Sequence, residues 1–111
     1  MSRSVAVVFA EDFSSQLEKL AFHTPVWMVD TPANRTAAEA AWMSAVEWPH
    51  ISVTLFRPLD WQTLLEQIAL QGRFDVVEAI GTELTPEVRE VLESSGFVRI
   101  VETATGFRAR R

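Results

Sequence analysis

Short apolar runs alternate along this chain with longer segments in which apolar residues recur at helical spacing. Val5 to Ala10 and Val26 to Val29 are continuous apolar runs rich in valine, which is typical of strands buried on both faces of a parallel sheet. Between them, Phe13, Leu17 and Leu20 recur three or four residues apart. The pattern therefore predicts a central strand, a helix and a second central strand.

Residues that favour the first turn of a helix mark four helix starts. They are Ser15 with Glu18, Thr31 with Pro32, Asp60, and Thr85 with Pro86. Side-chain oxygens at such positions accept bonds from free backbone N–H groups, and proline loses nothing in a first turn. Gly72 and Gly96 are expected to end the third and fourth helices. Four helices are therefore predicted.

Four further strands are predicted from apolar or alternating segments: Ile51 to Phe56, Val76 to Ile80, Phe97 to Glu102, and Phe107 to Arg110. The first of these alternates apolar and hydroxyl side chains, so we expect it near an edge of the sheet. The last follows the turn-forming segment Thr103 to Gly106, so we expect it to run antiparallel at the other edge.

Strands that alternate with helices favour a parallel sheet with right-handed crossovers and helices on both faces. We therefore predict one α/β domain over residues 1–111, a three-layer α/β/α sandwich with a mostly parallel sheet of five strands. The Rossmann-like strand order 3-2-1-4-5 is favoured because the third strand has a peripheral pattern, and the flavodoxin-like order 2-1-3-4-5 is the alternative. The sixth strand is predicted as a C-terminal antiparallel edge strand.

Composition excludes several classes of protein. The chain contains no cysteine, so disulfide frameworks and thiolate metal sites are excluded and a reducing compartment is expected. No apolar stretch reaches the length of a membrane span, and the run near the start is too short for a signal peptide. The formal net charge of −5 argues against a nucleic-acid partner, because that affinity comes mostly from lysine and arginine. We therefore expect a cytoplasmic protein of bacterial type that binds neither membranes nor nucleic acid.

Ligands of such folds bind at the carboxyl ends of the parallel strands. The loops there contribute the candidate ligand-binding residues Glu11, Asp12, Asp30, Arg35, Arg57 and Thr82. The glycine-rich loop that a nucleotide phosphate requires is missing from the sequence, and no cofactor is expected. The carboxylates could gather around Mg²⁺, which prefers carboxylate oxygen and water, or they could only stabilise helix N-termini. The arginines could hold an anionic group.

Glu11, Asp12 and Thr82 resemble the metal-binding acidic pair and the switch hydroxyl of bacterial two-component receiver domains. That family also requires an aspartate at the end of its third strand and a lysine at the end of its fifth. Here the third strand ends with Leu55-Phe56-Arg57, and Lys19 is the only lysine in the chain. A working phosphoacceptor site is therefore not expected, and the resemblance is one of shape.

The two histidines are poorly placed for catalysis. His23 and His50 lie in helix-to-strand connections, at the edge of the sheet opposite the candidate ligand site, where we expect them to contact helix ends. A nucleophile elbow of the Gly-x-Ser-x-Gly type is missing as well. These features favour a protein that is not an enzyme.

Large apolar residues indicate a contact surface as well as a core. We expect three tryptophans in the core: Trp27, Trp42 and Trp61. Met43 and Leu70 fall outside the apolar stripes of their helices, and Trp48 directly precedes Pro49, where it is less easily buried. These three are therefore the predicted interface residues. The favoured function is therefore protein–protein contact without catalysis, as a homodimer or as an accessory factor with a protein partner. A small-ligand or Mg²⁺ site at the carboxyl edge is the alternative.

Arg108 and Arg110 share one face of the predicted last strand. Basic side chains on an edge strand discourage unwanted strand pairing. Binding of an acidic partner is the alternative interpretation of the same two residues.

Overall fold

A computed structural model describes residues 3–57 and 60–111 of the chain. These residues form six strands and four helices in the order β1 (Ser4–Val8), α1 (Ser14–Ala21), β2 (Val26–Val29), α2 (Pro32–Ser44), β3 (Val53–Phe56), α3 (Trp61–Ala69), β4 (Val76–Ile80), α4 (Pro86–Ser94), β5 (Arg99–Glu102) and β6 (Gly106–Arg110). The predicted alternation of strands and helices is confirmed, with β2 and β4 at their predicted bounds. None of the helices in the described ranges combines the length and the apolar character needed to cross a membrane.

Three of the four predicted helix starts are confirmed. The side-chain oxygens of Thr31, Asp60 and Thr85 each accept a hydrogen bond from the backbone N–H three residues later. Each bond satisfies one of the free donors of a first helical turn. The predicted capping box at Ser15 is wrong, because the N-cap of α1 is Phe13, two residues earlier, and it makes no side-chain cap bond.

The first four strands form a parallel sheet in the order β3-β2-β1-β4. This half of the predicted order is confirmed. The flavodoxin-like alternative is wrong, because it requires β3 beside β1, whereas β3 pairs with β2 at the edge of the described sheet.

The other end of the sheet differs from the prediction. β6 lies between β4 and β5 and is antiparallel to both, so the full order is β3-β2-β1-β4-β6-β5. The antiparallel direction of β6 is confirmed, but its placement at the edge and the run of five mostly parallel strands are wrong. Phe107 explains the inner position of β6, because it is fully buried with its ring centroid 5.4 Å from that of Trp61. Gly106 allows it, because a Cβ atom there would collide with the backbone carbonyl of Ala79 on β4.

Two apolar clusters lie on the two faces of this mixed sheet. α3 and α4 cover one face, where Trp27 and Trp61 are buried as predicted. α1 and α2 cover the other face over β1, β2 and β3. The expectation that Trp42 is buried is wrong: it is 45% exposed, because its ring reaches the sheet edge, where Nε1 donates to the Val53 carbonyl oxygen at 2.8 Å. The layers are therefore α/β/α, as predicted, around a mixed sheet of six strands.

Candidate functional site

The candidate ligand-binding residues lie where β1, β2, β3 and β4 end, at the carboxyl edge of the parallel part of the sheet. Among the described residues, no three histidine, aspartate or glutamate side chains are placed so that they could hold a metal ion together. The polar groups of this edge contact one another and the backbone, and these contacts define what the edge can do.

Asp12 organises the start of α1. Its Oδ1 accepts hydrogen bonds from the Ser14 hydroxyl at 2.6 Å and from the Ser14 backbone N–H at 3.1 Å. These bonds, chiefly the one from the hydroxyl, hold the pKa of the Asp12 carboxyl below its usual value. The carboxylate therefore stabilises the first turn of α1, whether or not it also meets a ligand.

Asp30 and Arg35 form an ion pair at the start of α2. Arg35 Nη2 donates to Asp30 Oδ2 at 2.6 Å, and the arginine side chain is 57% exposed. Water screens a pair of this kind, so it contributes little to stability. The side chains of Glu11 and Arg57 are exposed, and no ion pair joins them to Asp30 or Arg35 in the part of the chain that the structure describes. The structure thus brings together two of the predicted residues rather than a cluster.

Asn34 occupies the space between the loops that follow β1 and β2, and it is fully buried. Its Oδ1 accepts a hydrogen bond from the Phe13 backbone N–H at 2.7 Å. Its Nδ2 donates to the carbonyl oxygens of Ala10 at 2.9 Å and Val29 at 3.0 Å. One side-chain amide therefore joins the ends of two neighbouring strands to the start of α1.

Spacing along α2 is the sequence signal that identifies Asn34. The residue lies four positions before Ala38, which is also fully buried, so Asn34 continues the buried stripe of the helix. A polar side chain on such a stripe must find hydrogen-bond partners inside the protein. At the end of a parallel strand, those partners are the free backbone groups of the neighbouring loops.

The crevice between β1 and β4 is where ligands enter folds with this strand order. Here the two backbones are in close contact: a Cβ atom at Gly81 would lie 2.8 Å from the Ala10 backbone nitrogen. Gly81 also has a φ of +80°, which glycine adopts without strain. A cavity of about 470 Å³ lies farther out, lined by residues 81–84 and 102–106. Of the predicted ligand-binding residues, it contains Thr82 alone.

A larger cavity, of about 850 Å³, lies between α3 and α4. Val77 and Phe97 form part of its wall but are only 1% and 2% exposed, so they offer a ligand little apolar surface. Carboxylates stand around it, including Glu66 on α3 and Glu90 on α4. The sequence predicted no site in this place, and the cavity brings no predicted site residue together with another.

Aromatic side chains cluster at the opposite, amino-terminal edge of the sheet. The rings of Phe22, Trp48 and His50 have centroids 5.6 to 6.3 Å apart. His50 thus contacts two aromatic rings, and His23 is exposed. The cluster holds Trp48 beside the end of α2.

Four apolar side chains are exposed around the end of α2; we call them the α2 patch. They are Trp42, Met43, Val46 and Trp48, with exposed fractions of 45%, 77%, 84% and 48%. Backbone N–H groups of Val46 and Trp48 donate to the carbonyls of Met43 and Ser44, so the chain continues to turn after α2 and keeps these side chains near one another. Two predicted interface residues, Met43 and Trp48, belong to the patch.

Leu70, the third predicted interface residue, lies elsewhere. It is 87% exposed at the C-cap of α3. α3 and α2 cover opposite faces of the sheet, so Leu70 is separated from the α2 patch by the sheet itself.

No protein-family model, no curated protein and no solved structure matches the chain. Similarity therefore suggests no function. The functional interpretation therefore rests on the carboxyl edge and the α2 patch.

Proposed function

We propose that this chain is a non-catalytic α/β domain that acts through protein contact and forms a homodimer through the α2 patch. The exposure of Met43, Val46 and Trp48 within six consecutive residues at the end of α2 is the observation that carries the proposal. The absence of cysteine suits a reducing compartment such as the cytoplasm.

The size of the α2 patch supports this proposal. Its four side chains expose about 500 Å² of mostly apolar surface, given the usual areas of large side chains. Exposed apolar patches on monomers reach about 300–600 Å², and the larger ones are often functional. A standard interface buries about 800 Å² on each partner, so the patch would form its apolar centre and polar neighbours would form the rim.

The charge of the α2 patch favours a second copy of the chain as the partner. Glu47 is the only charged residue between positions 42 and 48. Two copies can therefore bring their patches together with few like charges meeting, although each chain carries a net charge of −5. A two-fold dimer requires a self-complementary surface of this kind.

Trp42 determines how such a contact forms. The carbonyls of Ser52 and Phe56 accept bonds from the N–H groups of Val26 on β2 and of Asp30 just after it. The alternation of the strand therefore turns the Val53 carbonyl towards the open edge of β3. The indole of Trp42 covers that carbonyl, and an added strand cannot use it. We therefore expect the partner to pack against side chains of the patch rather than to extend the sheet.

Light scattering over a range of protein concentrations tests the proposal. We expect twice the mass of the chain for the wild type and the mass of a single chain for the double variant Met43→Glu/Val46→Glu. Both residues are more than three-quarters exposed, so the variant should keep the thermal stability of the monomeric fold. Leu70→Glu/Val98→Glu is the matched control, because it adds the same two charges at exposed apolar sites outside the patch and should remain dimeric. A wild type that is monomeric throughout, or a double variant that is still dimeric, would contradict the proposal.

The alternative function is a small-ligand or Mg²⁺ site at the carboxyl edge, and the cavity beside Thr82 is the observation in its favour. Thermal denaturation with Mg²⁺, nucleotides and small organic acids tests it, because a ligand that binds the native state raises the melting temperature. If Asp12 takes part, Asp12→Asn should abolish that rise. No rise with any of these compounds, together with a dimeric mass, would leave the α2 patch as the functional surface.

A further inference from the structure

Among the described residues, no helix packs over one face of β5 and β6. The apolar cluster beneath α1 and α2 includes residues of β1, β2 and β3, but among the described residues it includes none from β5 or β6. The side chains that β6 and β5 direct to this side are Arg108, Arg110, Arg99 and Val101. All four are exposed.

Three arginines share this open face, and we call Arg99, Arg108 and Arg110 the arginine face. Arg99 and Arg110 are directly opposite each other in the β5–β6 ladder. Residues in such pairs have Cβ atoms about 4.5–5.5 Å apart, and like charges placed there are destabilising. Arg108 is two residues from Arg110, so it follows on the same face about 7 Å along the strand.

The arginine face is only partly neutralised by its own chain. Arg108 Nη2 lies 3.4 Å from Glu78 Oε1 on β4, and no ion pair to Arg99 or Arg110 is found among the described residues. Arg35 is paired with Asp30 and Arg73 with Asp75, and Arg111 donates to two backbone carbonyls. Arg57 and Arg89 are exposed and, like Arg99 and Arg110, are in no ion pair among the described residues. The chain has a net charge of −5, yet Arg99 and Arg110 form an exposed pair of like charges on one surface.

We propose that the arginine face binds an acidic, extended segment of a partner protein. Guanidinium groups bind carboxylates in a bidentate way, and carboxylates placed between Arg99 and Arg110 would remove their repulsion. Val101 is 64% exposed between the arginines and offers an apolar contact. This surface lies at the β5 edge, the opposite end of the sheet from the α2 patch, so it does not depend on the proposed dimer.

A polypeptide fits this face better than a nucleic acid does. Proteins that bind single strands stack bases on aromatic side chains, and the only aromatic residue of β6, Phe107, is buried on the other face of the sheet. An acidic segment with aliphatic side chains matches what the face provides.

Fluorescence anisotropy with a fluorescein-labelled decaglutamate peptide at low salt tests the proposal. We expect the wild type to bind the peptide and the affinity to fall as salt is added. The double variant Arg99→Gln/Arg110→Gln should bind about tenfold more weakly, since two exposed ion pairs are lost. Lys19→Gln/Arg89→Gln is the matched control: it removes two positive charges from exposed side chains elsewhere and should bind nearly as the wild type does.

Thermal denaturation of the same variants provides a second measurement. Because the Arg99–Arg110 pair is repulsive, Arg99→Gln/Arg110→Gln should melt at the same temperature as the wild type or higher. A lower melting temperature would show that the arginines serve the fold and would overturn the proposal. It would also be overturned by a wild type that does not bind decaglutamate, by equal weakening in both double variants, or by tighter binding of a ten-nucleotide oligothymidine.

Discussion

Asn34→Ala removes three hydrogen bonds from the junction of β1, β2 and α1. The Phe13 N–H and the carbonyls of Ala10 and Val29 lose their side-chain partner. A buried polar group left without a partner costs about 1–3 kcal/mol, but the two carbonyls are only partly buried. Alanine regains about 0.5 kcal/mol through its better helix propensity. We therefore expect a loss of about 3 kcal/mol in the free energy of unfolding.

Urea denaturation followed by tryptophan fluorescence measures this loss. For a chain of this length, 3 kcal/mol corresponds to a fall of about 12 °C in melting temperature. Thr36→Ala is the control, because Thr36 is exposed on the same helix and bonds only the Pro32 carbonyl within its own helix; it should change stability by less than about 0.5 kcal/mol. If Asn34→Ala were as stable as Thr36→Ala, the amide would not hold this junction together.

The variant Asn34→Asp tests the same contacts through the pH dependence of its stability. A carboxylate at this buried position would face the carbonyl oxygens of Ala10 and Val29, so burial and repulsion would raise its pKa in the folded state. A raised carboxyl pKa destabilises the fold at neutral pH, and the loss diminishes as the pH falls towards the pKa of the unfolded chain. The variant should therefore gain stability relative to the wild type between pH 7 and about pH 4. An unchanged difference over this range would refute the assigned contacts.

Three further predictions concern the elements that frame this edge. Gly106→Ala should cost about 2 kcal/mol in urea denaturation, because its Cβ would push β6 away from the Ala79 carbonyl; a variant as stable as the wild type would contradict the β4–β6 pairing. Thr85→Ala should cost about 1 kcal/mol through loss of the α4 cap, and a smaller cost with Thr85→Ser would show that the hydroxyl is responsible. The Thr63 backbone N–H and hydroxyl lower the pKa of Asp60 in the folded state, so Asp60 stabilises the fold above its unfolded pKa and ceases to do so as the pH falls through the folded value. Asp60→Asn should accordingly lose less stability than the wild type between pH 5 and pH 2 in urea titrations, and an equal loss would contradict the cap.

The order of β5 and β6 in the sheet could not be predicted from the sequence pattern. Phe107 and Arg108 alternate buried and exposed along β6, a pattern that edge strands also have. The cause here is different, because β6 is an inner strand whose outer face no helix covers. A strand at an edge and a strand under an uncovered face produce the same alternation, so the pattern alone could not order β5 and β6. Gly106 and Ala109 are small enough for the inner position, but that constraint appears only once the partner strand is known.

The candidate site was predictable in its location more than in its chemistry. The N-cap at Thr31 followed from local rules that need no tertiary information. The placement of Asp12 and Asp30 at one edge of the sheet followed from the predicted parallel direction of β1 and β2. Their partners did not follow, because Ser14 and Arg35 compete for the same carboxylates that a metal ion would need. Which contact forms depends on distances set by the whole sheet.

The polar groups at the carboxyl edge differ from the exposed groups at the two ends of the sheet in how much they would gain from a binding partner. At the carboxyl edge, where catalysis would be sought, the Asn34 amide and the Asp12 carboxylate are bonded to backbone and side-chain groups of the chain itself. At the two ends of the sheet, side chains are without such partners. Met43 is mostly exposed to solvent, and Arg99 lies opposite another arginine, Arg110. Groups that are already satisfied gain little from a ligand, whereas exposed apolar area and unpaired like charges both gain from a partner. We therefore expect a partner to bind at the ends of the sheet.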